Sequence, residues 1–254
     1  MNIKTATLNG VATIEIARPQ RKNALPEEMY SAMADALRAA DADAAVRAVL
    51  IVGQPGVFTS GNDIDDFMNR PPATSDAPVF VFMRALVACS KPVVAAVTGA
   101  AIGIGTTMLL HCDLVYVSDE ARLAMPFASL GLVPEFASSL IVPALVGRAR
   151  AAEKLLFGDP FSAEEAVEMR IANAVLPAGE VVRHARRMAE RFNSLPPGAV
   201  RESKQLMRRA SEAAVLEAIE IEAAAFRQRL SSPEATEAFS AFFQKRKPDF
   251  STFS

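Results

Sequence analysis

Short, uninterrupted apolar runs punctuate this chain at intervals, and helical periodicity fills the spaces between them. Residues 46–52, 93–97 and 114–117 read as buried strands. Between them, residues 26–40 carry Met29, Met33, Ala36 and Leu37 at helical spacing, with Pro26 suited to a first helical position, and residues 63–68, 79–88 and 105–111 continue the helical pattern. Alternation of apolar strands with amphipathic helices, over short connections, confines such a chain to an α/β architecture in which helices cover the sheets. Ahead of this body, residues 3–8 and 11–17 alternate around Asn9-Gly10, the signature of a tight β-hairpin.

The chain has 254 residues, 51% of them hydrophobic, enough for one large domain or two small ones. No stretch approaches the roughly 18 apolar residues of a membrane span, and the amino terminus alternates instead of leading with a basic region. A cytoplasmic protein without a membrane partner is expected. A formal net charge of −2 and a pI near 5.8 give no global case for binding nucleic acid. Two cysteines, Cys89 and Cys112, fit reduced buried thiols, and no metal is expected. His111, Cys112 and Asp113 are chain neighbours whose side chains do not converge on one point.

From residue 149 the pattern becomes mostly helical, over 180–193, 199–210 and 213–230. Ser162 and Glu165 form a capping box, and Ser232-Pro233 starts a last helix. We divide the chain into an α/β core over 1–195 and a helical region over 196–254, within one structural unit. Residues 71–78, rich in proline and small polar residues, form a loop.

Residues 58–63 and 99–107 are rich in small residues that let a ligand approach the main chain. Asn62 and Ile104 are placed to turn a backbone N–H toward it, the latter at a helix start. If both face one pocket, they form an oxyanion hole. Glu135 is the acid or base expected beside them.

These segments, residues 18–25, 58–64, 91–105, 152–158 with 162–166, and 239–250, resemble the crotonase, or enoyl-CoA hydratase/isomerase, superfamily in order and spacing. The resemblance implies a spiral of ββα units and a helical carboxy-terminal region that forms homotrimers or hexamers. Periodicity alone allows that helical third to fold back on its own core. It also implies that the Asn62 and Ile104 amides hold a thioester oxygen, where losing one such donor costs about 3–4 kcal/mol of barrier.

Hydratases of this kind use two glutamates, and their positions correspond here to Thr107 and Phe127. Neither can serve as a carboxylate base. Residues 126–131, 134–135 and 138–139 are most similar to the peroxisomal-type Δ3,Δ2-enoyl-CoA isomerases, whose single catalytic glutamate matches Glu135. That resemblance implies proton removal from C2 of a 3-enoyl-CoA and its return at C4, giving a 2-trans-enoyl-CoA in unsaturated fatty acid oxidation. Phe127, Leu130, Leu132, Val133 and Phe136 would make an apolar wall that raises the carboxyl pKa and excludes water. From the residues alone, Glu135 reads first as an N-terminal charge on a helix over 135–146, since acidic first turns are common.

CoA, part of the substrate and not a separate cofactor, is expected against Lys22, Ala24 and Leu25, with Ser60, Gly61, Asp63, Ile64, Gly103, Phe127 and Leu130 around the nucleotide and acyl portions. Phe242, Lys245 and Lys247 are expected to cap it from an adjoining segment or subunit. Arg18, Arg21 and Lys247, taken singly, read as solvated surface charges, and residues 68–78 as a cover for the acyl chain. The alternatives are another reaction of the superfamily on acyl-CoA, such as hydration, thioester hydrolysis or decarboxylation, and a non-catalytic acyl-CoA-binding homologue.

Overall fold

Asn9 and Gly10 both take positive φ, and this turn closes the hairpin of β1 (Ile3–Leu8) and β2 (Val11–Ile16). The computed structural model describes residues 2–253. After the hairpin come α1 (Glu27–Ala42), β3 (Ala48–Val52), β4 (Val57–Thr59), α2 (Ile64–Asn69), α3 (Pro78–Ala88), β5 (Val93–Val97), β6 (Ala100–Ile102) and α4 (Ile104–Thr107). The body continues through β7 (Leu114–Ser118), β8 (Arg122–Ala124), α5 (Ser138–Val146), α6 (Arg148–Ala152), β9 (Phe161–Ser162), α7 (Ala163–Glu168) and β10 (Ala174–Leu176). The α-helices α8 (Val181–Glu190), α9 (Pro197–Arg208), α10 (Glu212–Leu230) and α11 (Pro233–Phe243) follow.

Two sheets form, one of order β1-β2-β3-β5-β7-β10 and one of order β4-β6-β8-β9. Among the described residues, the strand pairs that run antiparallel are β1 with β2 and β8 with β9. In each of the pairs β3/β4, β5/β6 and β7/β8 the first strand joins the larger sheet and the second the smaller, and helix follows. This is the expected spiral of ββα units, visible only in the pairing.

The parallel strands β3 and β5 are buried along their whole length, because both faces of the larger sheet are covered. Val49 and Ile51 face the main core, beneath α1 and α3, whereas Ala48, Leu50 and Val52 meet Val181, Ala185 and Ala189 of α8. Burying a side chain such as Leu50 or Ile51 contributes about 1.5–3 kcal/mol. The apolar stripes of α10 and α11, through Val215, Ile219, Ala223, Phe226, Ala235 and Phe239, enter the same main core.

Two local expectations are corrected. The helix expected over 105–111 is an α turn at Ile104–Thr107 followed by a 3-10 turn at Met108–His111. The helix expected to start at Glu135 starts instead at Ser138, after two residues in the left-handed region, Phe136 (φ 60°) and Ala137 (φ 57°). Glu135 therefore lies in the loop before α5, not in its first turn. The short strands β8, β9 and β10 are too brief for a periodic signal and depend on their sheet partners.

Candidate active site

The end of the smaller sheet brings the two glycine-containing segments together. Strands β4 and β6 pair in parallel, Val57 with Ala100 and Thr59 with Ala101, so the backbone that follows each strand emerges side by side. Gly61 has φ 92°, and a Cβ there would lie 2.8 Å from the Ile102 carbonyl oxygen. A Cβ on Gly105 would lie 2.6 Å from the Thr59 Cγ2 atom. Close approach of the two segments thus requires glycine at both positions.

Leu25 bridges to Asn62, donating its N–H to the Gly61 oxygen at 2.9 Å and accepting from the Asp63 N–H at 3.1 Å. That pattern occupies the residues flanking Asn62 and turns the Asn62 amide to the other side. Among the described residues, the N–H groups of Asn62 and Ile104 have no hydrogen-bond acceptor. Gly103, at φ 58° and ψ −120°, makes the turn that starts α4 at Ile104.

Glu135 is 4% exposed, and its Oε1 has no hydrogen-bond partner among the described residues. Burial pushes its carboxyl up from 4.5 to about 8, the charge of Glu222 adds to the rise, and the Asn62 side chain opposes it. The buried Tyr30 hydroxyl donates to the Asn62 Oδ1 atom. With that oxygen taken, the amide's NH2 end is left for the carboxyl. Burial, then Glu135 and Asp66, hold the Tyr30 hydroxyl well above its ordinary value, so it remains a donor.

The backbone that carries Glu135 is held from two sides. Glu222, on α10 and itself buried, accepts from the Ala137 N–H at 2.5 Å and from the Ser139 N–H at 2.9 Å. The carboxyl at the N-terminus of α5 is thus that of Glu222, and not that of Glu135. On the other side, the His111 ring stacks on Phe136 at 4.0 Å between centroids, and its Nε2 lies 2.8 Å from the Phe136 oxygen. A carbonyl only accepts, so Nε2 carries the proton. Burial pushes His111 down to about 4, against the Phe136 carbonyl, with Arg208 adding to the fall, and the ring is neutral near pH 7. Two consecutive left-handed residues with a Cβ cost about 1–2 kcal/mol each, which these contacts offset.

The expected apolar wall divides by depth. Phe127, Leu132 and Phe136 are buried, and Leu130 and Val133 pack against them half-buried. The Phe127 ring comes within 3.8 Å of where a Gly103 Cβ would stand. Thr107 is fully buried, and its hydroxyl has no hydrogen-bond partner among the described residues.

The expected CoA-facing residues separate into two groups. Lys22 (φ 51°) is exposed, Ala24 and Ile64 are half-buried, and Leu25 and Gly61 are buried beneath them. Ser60 donates its amide to the Lys22 oxygen at 3.1 Å, which fastens this edge to the segment that carries Asn62. Asp63 caps α2 by accepting from the Asp65 N–H and pairs with Arg18 at 2.6 Å. Burial raises its carboxyl, but the Arg18 bond and charge outweigh that and leave it below the ordinary range. Arg18 is therefore not a solvated charge. In the second group, Phe242 is exposed at the end of α11 and Lys245 follows it, also exposed.

Three participants escaped the sequence reading: Tyr30, His111 as a brace, and Glu222. The last left a signal, since Val215, Ile219, Glu222, Ala223 and Phe226 share one buried stripe. A carboxylate there must have partners. No group of three or more His, Cys, Asp or Glu residues suited to a metal occurs among the described residues. A cavity of about 410 Å³ opens near Leu110, Leu140, Leu145, Arg208 and Val215, and none of the expected site residues lines it.

Residues 6–252 match the family model described as enoyl-CoA hydratase/isomerase. The chain belongs to that family. Human enoyl-CoA delta isomerase 2 is 35% identical over 94% of this chain, which spans 62% of that relative's length. Another family member, the probable enoyl-CoA hydratase echA8 of Mycobacterium leprae (strain TN), is 30% identical over 94% of both chains. Among solved structures, Pseudomonas aeruginosa OdaA superposes with a TM-score of 0.93 at 52% identity, covering 95% of this chain and 98% of that one. An enoyl-CoA hydratase/isomerase from Pseudoalteromonas atlantica T6c also superposes at 0.93, with 40% identity over 98% of this chain and 100% of that one. The family contains both isomerases and hydratases by name. Which reaction this member performs must be argued from its own residues.

Proposed function

We propose that this protein is a Δ3,Δ2-enoyl-CoA isomerase acting on unsaturated fatty acyl-CoA. One observation carries the reading: a buried carboxyl with a free oxygen, Glu135, stands beside Asn62; Thr107 and Phe127, which the resemblance sets at the two hydratase glutamate positions, add to it. The thioester oxygen lies between the Asn62 and Ile104 amides, which stabilise the negative charge that grows there. Ionised Glu135 takes a proton from C2, and the electron pair moves into a dienolate. The resulting carboxylic acid gives its proton to C4, the double bond settles between C2 and C3, and the carboxylate is regenerated. One base suffices, and no cofactor beyond the CoA of the substrate takes part.

Burial supports this assignment in two ways. It raises the proton affinity of Glu135 toward the range of a competent base, and the wall of Phe127, Leu132 and Phe136 keeps out water that would otherwise quench the dienolate. Lys22, Ala24, Ser60 and Ile64 receive the nucleotide over the buried Leu25, Gly103 and Leu130 border the acyl portion, and Phe242 and Lys245 close over CoA from an adjoining segment or a second subunit. We assign the protein to the cytoplasm and to a homotrimer or hexamer. The hydratase reading retains one supporting observation, the unpartnered Thr107 hydroxyl, which could hold a water but not take its proton.

Parallel incubation with a 3-enoyl-CoA and a 2-enoyl-CoA tests the reading. Isomerisation of the first is expected with little hydration of the second, and Glu135→Gln is expected to slow it by about 10²–10⁴-fold. Rapid hydration, or unimpaired isomerisation by the variant, would refute it. Binding of both esters without turnover would point to the non-catalytic homologue.

A further inference from the structure

Glu222 has no part in the proton transfer described above, yet it is buried in the middle of α10 and bonded only to the segment that carries Glu135. Each of its carboxylate oxygens accepts one backbone N–H, from Ala137 and from Ser139, on either side of the Ser138 that opens α5. The Ser138 N–H in turn donates to the Glu135 backbone carbonyl oxygen at 3.2 Å. No cation lies within ion-pair distance of Glu135 or Glu222 among the described residues. A negative charge held 6% exposed without a counterion is costly unless it performs a task or is well solvated by donors.

On the reading of Glu135 as the base, we infer that Glu222 is its positioning residue: the carboxylate pins the left-handed Phe136–Ala137 turn, and so sets where the Glu135 carboxyl points and how readily it gives up its proton. The two amides it accepts from are the first free N–H groups of α5, which favour a negative charge at that place. Burial raises the Glu222 carboxyl as well, but its Ser139 and Ala137 contacts oppose the rise, whereas Glu135, with one oxygen unpartnered, is pushed up to about 8; Glu222 is therefore the carboxyl of the two that gives up its proton first. Its charge then works through low-dielectric protein on Glu135, which holds its proton longer. The other groups that face Glu135 do not provide an opposite charge: Tyr30 from α1 is a neutral hydroxyl, Asn62 is an amide, and neutral His111 reaches the turn only through Phe136. Asp66 bears on Tyr30. Glu222 is thus the only charged group that the structure sets against the base among the described residues.

The experiment measures kcat, KM and thermal melting across the pH range with trans-3-hexenoyl-CoA, for the full chain and for Glu222→Gln, Glu222→Asp and Glu135→Gln. Glutamine can accept only one of the two N–H groups and carries no charge. Its acidic limb in kcat/KM is expected to move to lower pH, while its kcat on the alkaline plateau falls about tenfold from misplacement of the base, with KM little changed. Aspartate keeps the charge with a shorter reach, so its limb is expected near that of the unaltered protein with kcat reduced. An unmoved acidic limb in Glu222→Gln, with Glu135→Gln inactive, would overturn this inference and leave the base in place. If Glu222→Gln fails to fold, a limb in Glu222→Asp that moves as far as loss of the charge would move it overturns it instead. Activity in Glu135→Gln would overturn the reading of the base itself.

Discussion

Glu135 illustrates how one side chain can oppose stability in order to hold a reactive state. A carboxyl raised from 4.5 to about 8 is protonated in both folded and unfolded chains below pH 4.5, so it costs nothing there. As pH rises from 4.5 toward 8, the unfolded chain releases the proton while the folded one retains it, and stability falls. Above about 8 the loss is complete, on the order of 5 kcal/mol. Glu135→Gln cannot ionise. Its melting temperature is therefore expected to exceed that of the unaltered protein by a margin that widens between pH 4.5 and 8, then levels. Melting curves at several pH values check this, and a margin independent of pH would contradict the buried-carboxyl account. Glu222, present in both proteins, largely cancels from the comparison.

At the scale of elements, the strands and helices that form by local pattern were readable and the contacts that aim them were not. Residues 93–97 read as a strand and are β5, and the capping box at Ser162 and Glu165 opens α7 as expected. In contrast, placing α5 at Ser138 instead of Glu135 depends on two left-handed residues that no propensity favours, held by a carboxylate 85 positions away in sequence. Short-range periodicity contains no trace of such a bond. The candidate site was legible where the backbone needs glycine, at Gly61 and Gly105 because of close approach and at Gly103 because of its φ of 58° and ψ of −120°. It was illegible where a distant helix supplies the support, as α10 does for Glu135 and α1 does, through Tyr30, for Asn62.

For the whole molecule, the paired strands β3/β4, β5/β6 and β7/β8 bring the second strand of each pair into the smaller sheet side by side, which is the arrangement on which the proposed site of Asn62, Ile104 and Glu135 relies. Nothing in composition shows that spiral. It was reached through the resemblance, and the strand pairing now displays it. The helical end of the chain leaves Leu206, Met207, Ile221, Phe242 and Phe243 exposed, a quantity of apolar surface that association would cover. A solution mass three or six times that of the 27.2 kDa chain is expected, and a stable monomer would contradict the assembly proposed here. The account as a whole rests on one carboxyl carrying one proton between two carbons. A 3-enoyl-CoA bearing deuterium at C2 tests that most directly: early product should hold deuterium at C4, since a buried acid returns what it took before water exchanges it. Product whose new C4 hydrogen comes entirely from solvent would contradict the single buried base.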